Sequence, residues 1–464
     1  MLGQQGPDRG EVRGVWIPNS YSTFFESREN VREQMALLAE AGINVVFPVV
    51  WSKGYTLFDS AVAERIVGKR IDPRYGDRDP LAEVLFEAHR HGIEVIPWFE
   101  YGFADGHEKF PGKALEKHPE WAAIGVDGLP VVKNGFPWLN SLAKGPQTFL
   151  TELLVECATR YDVDGVQGDD RLPAMPAEAG YDADTVARYR AQFGEDPPRD
   201  IHDVQWTQWR ADLLTEYLAE LRQAIKAIGS DMVFSMAPGA PSWALRDYLQ
   251  DQRTWVERGL VDALHPQLYA RDGDGYRKMV EQTLGIEWLA KRRDLVSPGV
   301  LSSFRSYFID RELAVASVQA NRDNGFAGEV WFYEQGLVRD GGERGRDLRA
   351  GPYRETARLP WRTTASWRPK AVVAEPVEAA DAIVWSVTPT VDGTYGIWAE
   401  PNGAVDAWRR IATLPLQAGA TAEVCKAPAD GYRAVLAIID RAAERAADRA
   451  ADGSTDASTD RDGK

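Results

Sequence analysis

The sequence predicts an α/β protein: a (β/α)8 TIM barrel followed by a small C-terminal all-β sandwich. Three observations predict it. Short apolar strands alternate with helical segments eight times between Val12 and Tyr333, and such alternation builds a parallel sheet that eight units close into a barrel. Acidic and aromatic residues gather where those strands end. Beyond Arg339 the alternation stops and short β runs take over. An open doubly wound sheet is the alternative, but no Gly-rich phosphate turn follows the first strand.

Val12–Pro18 reads as the first strand. Val31, Met35, Leu38 and Ala39 recur at helical period over Glu29–Ala41, and Gly42 closes that helix. Ile43–Trp51 is almost continuously apolar, as a strand covered on both faces requires. A helix over Pro80–His91 stops at Gly92, and the third strand spans Ile93–Glu100. The excursion Tyr101–Pro146 is rich in Gly and Pro, yet Phe103, Trp121, Phe136 and Trp138 argue for an ordered, functional loop. The remaining helices are expected over 148–161, 181–193, 206–228, 248–259, 276–291 and, capped by Asp310, up to Asn324. The remaining strands are expected over 163–169, 232–237, 260–269, 295–301 and 328–333.

The domain plan follows. Residues 1–10 are expected to be disordered, 11–340 to form the barrel, and 341–368 to be a polar, Gly-rich linker packed on it. Residues 369–440 read as an immunoglobulin- or fibronectin-like sandwich, with β runs Ala382–Val387, Thr394–Glu400, Trp408–Leu416, Glu423–Lys426 and Tyr432–Ile439. Asp392-Gly393 predicts a hairpin turn. Residues 441–464 read as a charged helix, with Arg441–Glu444 and Arg445–Asp448 at i,i+3 spacing, then a disordered tail.

A formal net charge of −16 argues against nucleic acid or an anionic membrane as partner, since either needs a basic face. Cys157 and Cys425 sit in unlike settings, which predicts two free thiols. No apolar run is long enough to span a membrane. The N-terminus lacks an apolar signal core, so the protein is expected in the cytoplasm, or in the periplasm or envelope if a leader precedes this sequence. The oligomeric state is not legible.

The strand ends carry the chemistry. Trp16, Trp51, Trp98 with Glu100 and Tyr101, Asp169 with Asp170, His265 with Gln267 and Tyr269, and Trp331 with Tyr333 and Glu334 all lie at or near such ends. Barrel active sites are built there. Carboxyl groups plus aromatic platforms suit sugars, whose C–H faces stack on rings while their hydroxyls bond carboxylates. Asp170 or Asp169 is expected as nucleophile or base, and Glu100 or Glu334 as general acid. Adjacent strand residues point to opposite faces, so only one aspartate faces the barrel axis by the pleat. Asn140 either binds a sugar hydroxyl or caps the following helix. His265, Gln267 and Tyr269 alternate, which puts them on one face, read as the active-site face. Trp16, Trp51, Trp98, Tyr101, Tyr269 and Trp331 are candidate stacking platforms. No cofactor is expected. Two acids without a third ligand are a weak metal signal, and no Gly-x-Ser-x-Gly elbow supports a serine nucleophile.

With these residues in place, the chain resembles glycosyl-hydrolase-like family ten over residues 11–340. The resemblance rests on Arg13-Gly14-Val15-Trp16, Trp98-Phe99, His118-Pro119-Glu120-Trp121 and Trp138-Leu139-Asn140. It continues through Tyr161-Asp162-Val163-Asp164-Gly165-Val166 into Asp169-Asp170, then Pro266-Gln267-Leu268-Tyr269 and Gly325-Phe326-Ala327-Gly328. It implies a barrel glycosidase acting on peptidoglycan glycan strands or another bacterial envelope polysaccharide. The alternative is a barrel that holds glycan without cutting it. Gly168 and Arg171 stand where the family usually has an aromatic residue and an aromatic residue or His. The third strand ends in Glu100-Tyr101-Gly102-Phe103 instead of the common Asn-Pro. Arg171 is therefore a candidate for contacting substrate or tightening the ionisation of a neighbouring aspartate.

Overall fold

A computed structural model of the chain describes residues 10–451 except 110–111, 364–365, 380–381, 405–406 and 429–430. The disorder expected of residues 1–9 and 452–464 lies outside the described residues. The parallel strands are β1 (Val12–Ile17), β2 (Val45–Pro48), β3 (Glu94–Val95), β4 (Gly165–Asp169), β5 (Val233–Ala237), β6 (Ala263–Leu264), β7 (Gln267–Leu268), β8 (Gly299–Leu301) and β9 (Gly328–Phe332). Six form one parallel sheet in the order β7-β8-β9-β1-β2-β3, and three form another in the order β6-β5-β4. Single parallel bridges, Trp98 to Gln167 and Leu264 to Val296, connect the two sheets. β1, β2, β4 and β5 are buried along their whole length, which explains why they show no polar–apolar alternation.

Several expected elements are redrawn, each for a local reason. The second strand ends at Pro48, and Trp51–Ser52 turns into a hairpin with Tyr55–Thr56. The expected strand 260–269 is two strands, β6 and β7, separated by His265 and Pro266, because proline donates no backbone hydrogen bond. The expected helix 248–259 is two helices, Pro241–Tyr248 and Gln252–Glu257. Leu249 between them is left-handed at φ 60°. That break swings Gln250 inward, where its side-chain amide donates to the Asp169 and Pro173 carbonyls at 2.9 and 3.1 Å.

The expected linker is the largest correction. Residues Gln335–Ala350 are helical, interrupted where Asp340, Gly341 and Gly342 take positive φ. The helix packs on Arg28–Ala41, and a Cβ on Gly345 would sit 2.8 Å from the Ala41 Cβ. The glycines that read as linker thus permit close helix approach.

Residues Val372–Ile439 form two antiparallel sheets. One has strands Val372–Val373, Tyr432–Ile439, Gly393–Pro401 and Arg409–Leu416, and the other Glu375–Ala379, Ala382–Val387 and Ala422–Ala427. Trp385, Tyr395, Ile397, Val424 and Val435 are buried between them. Asp392-Gly393 is not a hairpin turn, since the strands on either side of it lie in different sheets. The Asp392 carboxylate instead accepts from the Ala418 amide at 2.7 Å.

The charged helix Arg441–Ala451 is present, but its arginines turn inward. Arg441 reaches Glu94 at 3.2 Å and Asp164 at 3.1 Å, while Arg445 reaches Asp162 at 3.7 Å and Asp231 at 3.5 Å. Arg362 holds Glu94 through two bonds of 2.7 and 3.0 Å, and Arg368 reaches Asp164 at 2.9 Å and Asp162 at 3.2 Å. Glu94 and Asp164 stand at the N-terminal ends of β3 and β4. This cluster therefore fastens the C-terminal segments to the face opposite the strand ends that carry the candidate chemistry. Burial opposes ionisation of Asp164, but Arg368, His89 and Arg441 outweigh it and hold the carboxyl well below its usual range.

Candidate active site

β4 sets the site. Gln167 points into the interior, accepting from the Trp16 indole at 2.6 Å and donating to the Ser235 hydroxyl at 3.1 Å. Asp169 follows on the same face and is 2% exposed. Its carboxylate accepts from the Trp98 indole at 2.9 Å, the Asp170 amide at 2.6 Å and the Gln267 side chain at 3.4 Å. Burial, then the neighbouring Asp170, push its proton affinity well above the usual carboxylate range, against Arg171. Asp170 lies in the turn beyond the strand, its side chain 27% exposed and 3.2 Å from Arg171 Nη1.

Arg171 gathers three carboxyl groups. Besides Asp170, its Nη2 lies 3.4 Å from Glu100 Oε1 and 3.6 Å from Asp169 Oδ2, and its Nε donates to the Glu100 carbonyl at 2.9 Å. The guanidinium also faces the rings of Tyr101 and Phe136, at 5.5 and 5.1 Å. Gly102 makes this possible: at φ +47° it lies under the Arg171 carbonyl, where a Cβ would fall 2.1 Å from that oxygen. Gly168 is equally constrained, with a Cβ there meeting the Leu172 carbonyl at 2.4 Å and Met236 Sδ at 2.5 Å. The two departures at 168 and 102 are thus features of one packed turn.

Glu100 is one-fifth exposed. Burial chiefly, and then Asp170, raise its pKa, while Arg171, Lys53 and a 3.3 Å bond from Ser52 oppose the shift. Tyr269 stacks on Phe332 at 4.5 Å. Its phenol and that of Tyr333 are kept protonated by burial first and nearby charges second, with Asp169 acting on both. Asp169, Asp170, Arg171, Glu100, Trp98, Tyr101, Gln267, Tyr269 and Tyr333 therefore converge at the strand ends.

Other expected residues do not join them. Trp16 is 1% exposed and packs among Phe47, Trp98, His265 and Phe332 below the site. Trp51 is buried, donating to the Gly102 carbonyl at 3.0 Å. Trp331 is buried on the outer side of β9, where it donates to the Tyr353 hydroxyl at 3.1 Å. None of these three rings offers a face to a sugar. His265 is wholly buried beside Phe47 and Trp16, and burial lowers its pKa to about 4. Pro266 breaks the alternation that had joined His265 to Gln267. Asn140 is structural: it donates to Asp182 at 2.9 Å and accepts from the Leu142 amide at 3.1 Å.

Glu334 is fully buried, bonded to the Ser22 hydroxyl and to Gln335 at 3.1 Å. Burial raises its pKa to about 7, against those two bonds. A raised folded value means that its stabilising contribution is complete below the unfolded pKa and lost as pH climbs through 7. Wild type is therefore expected to lose about 3 kcal/mol relative to Glu334→Gln between pH 5 and pH 8. Denaturant midpoints measured across that range check this, and parallel curves would contradict it.

Sequence reasoning missed Ser22, Ser52 and Lys53. Lys53 sits at φ 57° in the short hairpin after β2 and reaches the Ser20 hydroxyl at 2.6 Å. Its proximity to Glu100 comes from a loop with no periodic signal.

A sequence model of the family described as "Glycosyl hydrolase-like 10" matches residues 11–306. The glycosyl hydrolase DigH of Escherichia coli (strain K12) is 28% identical over 293 residues, covering 56% of this chain and 62% of that protein. The glycosyl hydrolase YngK of Bacillus subtilis (strain 168) is 27% identical over 296 residues, covering 56% and 54%. The chain thus aligns with less than two thirds of either relative. Among solved structures, the PgaB (BpsB) glycoside hydrolase domain from Bordetella bronchiseptica superimposes with a TM-score of 0.56 at 12% identity, over 73% of this chain and 98% of that one. The catalytic domain of beta-amylase from Paenibacillus polymyxa gives 0.52 at 12% identity, over 73% and 95%. At such identity these two likenesses bear on the fold, which is TIM-barrel-like.

Proposed function

We propose that this chain, which belongs to the glycosyl hydrolase-like 10 family, hydrolyses O-glycosidic bonds of a bacterial cell-wall or envelope polysaccharide. In this reading the two linked sheets close as a (β/α)8 barrel, with the bridges at Trp98 and Leu264 as the joints. The C-terminal sheets are read as an immunoglobulin- or fibronectin-like sandwich. Such a substrate lies outside the cytoplasm, and so does the protein.

One observation carries the reading. A solvent-reachable carboxylate, Asp170, and a carboxyl that resists ionisation, Glu100, lie on two arms of a single guanidinium. Glycoside hydrolysis needs two carboxyl groups in unlike protonation states flanking one bond. Glu100 gives its proton to the leaving oxygen, and Asp170 attacks the anomeric carbon or draws a proton from attacking water. Asp169 orients the turn through its bonds to Trp98 and the Asp170 amide. A carboxyl separation of about 5 Å makes the reaction retaining, and about 6.5–9.5 Å inverting. Tyr269, Tyr333 and Gln267 line the substrate's path, with Phe332 as the partner ring.

Incubation with peptidoglycan glycan strands stripped of stem peptides is expected to release new reducing ends. Binding without release would favour the second reading, a non-catalytic glycan-binding barrel, which the engagement of all three carboxyl groups by Arg171 supports. Glu100→Gln should lower turnover of natural glycan by about 10²- to 10⁴-fold. It should lower turnover of nitrophenyl glycosides far less, because a nitrophenolate leaves without a proton. Equal losses on both substrates would remove Glu100 from the acid role.

A further inference from the structure

We propose that the hairpin following β8, together with Arg271, Arg305 and Tyr21, forms a binding face for an anionic sugar polymer, one carrying carboxylates or phosphodiesters. The inference rests on the glycan-cleaving reading and names the substrate class that the same cleft would draw in.

Ser303–Phe304 pairs with Tyr307–Phe308, and Phe304 stands directly opposite Tyr307. Cross-strand partners share a face of the ribbon. Each of these two rings carries a guanidinium: Arg305 lies 5.1 Å from the Phe304 centroid, and Arg271, from the loop after β7, lies 5.5 Å from that of Tyr307. Tyr21 meets Phe304 at 5.6 Å and is 61% exposed. Phe308, at the end of the hairpin, is 36% exposed. Cations and rings thus share one small solvent-facing patch.

These two cations lack an acidic counterpart. No carboxylate among the described residues pairs with Arg271 or Arg305, in a chain with 70 acidic residues against 54 basic ones. By contrast Arg171 is spent on three carboxyls, and Arg339, stacked on Phe308 at 4.2 Å, pairs with Asp340 at 3.1 Å. The nearby acids Asp272 and Asp310 each cap a helix N-terminus, and neither forms an ion pair with these arginines. Asp272 accepts from the Gly275 amide at 2.8 Å, and Asp310 from the Leu313 amide at 2.7 Å. The overall negative charge does not forbid an anionic ligand, because charges beyond about 8 Å are screened at physiological salt.

The patch adjoins the site: the Ser303 hydroxyl, on the hairpin, donates to the Tyr333 carbonyl at 3.4 Å. A polymer seated over Tyr269 and Tyr333 would run onto the hairpin, where ring faces meet sugar C–H faces and the guanidiniums meet its anionic groups. Nucleic acid offers similar chemistry, but the patch's continuity with a carboxyl-lined cleft favours sugar.

The test is calorimetric titration of the intact chain, in an Asp170→Asn background, with four ligands: oligogalacturonate, a glycerol-phosphate polymer, chitohexaose and single-stranded DNA. One or both anionic sugar ligands are expected to bind, and the arm that binds more tightly identifies the anion. The Arg271→Ala/Arg305→Ala double variant should weaken that binding by about tenfold and leave chitohexaose binding as it was. The Arg271→Lys/Arg305→Lys pair should recover part of the loss. Unchanged binding by the alanine pair, equal loss on chitohexaose, or tighter binding of DNA than of any sugar would each overturn the proposal. Cleavage assays of the wild type keep the two readings apart. Arginine-dependent binding without reducing-end release from any glycan removes the hydrolase and leaves the face. Release with arginine-independent binding does the reverse.

Discussion

Asp170→Asn is expected to lower glycan turnover by about 10²- to 10⁴-fold, the range for loss of a positioned acid or base at the reacting centre. The substitution keeps shape and removes only the charge. Asp170 projects from the turn after β4 at 27% side-chain exposure, with Arg171 beside it, so the fold should tolerate it. Asp169→Asn is the informative contrast. Asp169 is 2% exposed, and its two oxygens accept from the Trp98 indole and the Asp170 amide. An amide has one acceptor oxygen, so one of those donors is left facing an NH₂ group, a cost of about 1–3 kcal/mol for an unpaired buried polar group. Asp169→Asn should therefore lose stability as well as activity, whereas Asp170→Asn should lose activity alone. Thermal midpoints and reducing-end assays on both variants separate the roles. Azide added to Asp170→Ala would trap a glycosyl azide if Asp170 is the nucleophile of a retaining reaction. Full cleavage by both asparagine variants would sink the carboxylate mechanism.

Arg368→Ala is expected to destabilise the protein by about 3–5 kcal/mol, the cost of leaving one side of a buried ion pair uncompensated. Arg368 is fully buried against Asp164, which is itself buried, and it also bonds Asp162 and the Ile439 carbonyl. Removing it takes the nearest guanidinium from buried Asp164, leaving Arg441 at 3.1 Å, and releases a tie to the last β strand. The sign with pH is fixed by Asp164. Its folded pKa lies well below the usual value, so its contribution is present above an unfolded pKa of about 3.9 and lost as pH falls through the folded value. The gap between wild type and variant should hold from neutral pH to about 4 and close in stronger acid. Because the C-terminal sheets have their own core, urea unfolding is best followed by both tryptophan fluorescence and circular dichroism, since two transitions are possible. A gap below about 1 kcal/mol, the worth of a surface pair, would show that the cluster is not a clasp.

Much of the architecture could be read from the chain. Strands buried on both faces lack polar–apolar alternation, and helices on their flanks repeat at 3.6, so β1, β2, β4, β5 and the helix Arg28–Ala41 lie close to their expected positions. After Glu334, where glycine was read as a linker signal, the reading failed. Gly342 and Gly345 signal a linker by composition, yet they allow a helix to approach Leu37 and Ala41. Composition does not distinguish a glycine that frees the chain from one that makes room for a neighbour.

The same boundary runs through the site. The sequence by itself determined which residue types stand at the strand ends, and therefore that Asp169, Asp170, Glu100, Gln267, Tyr269 and Tyr333 belong to one neighbourhood. It could not determine which rings face the cleft: Trp16, Trp51 and Trp331 end strands as Trp98 does, but pack inward or outward against Gln167, Gly102 and Tyr353. Nor could it show that Arg171, seated over Gly102, draws Asp169, Asp170 and Glu100 into a single charged knot. Strand order and periodicity are local properties that repeat along a chain. The direction of a side chain at a strand end, and the proton affinity that follows from its burial and its neighbours' charges, depend on segments far apart in sequence, and only the folded molecule brings those together.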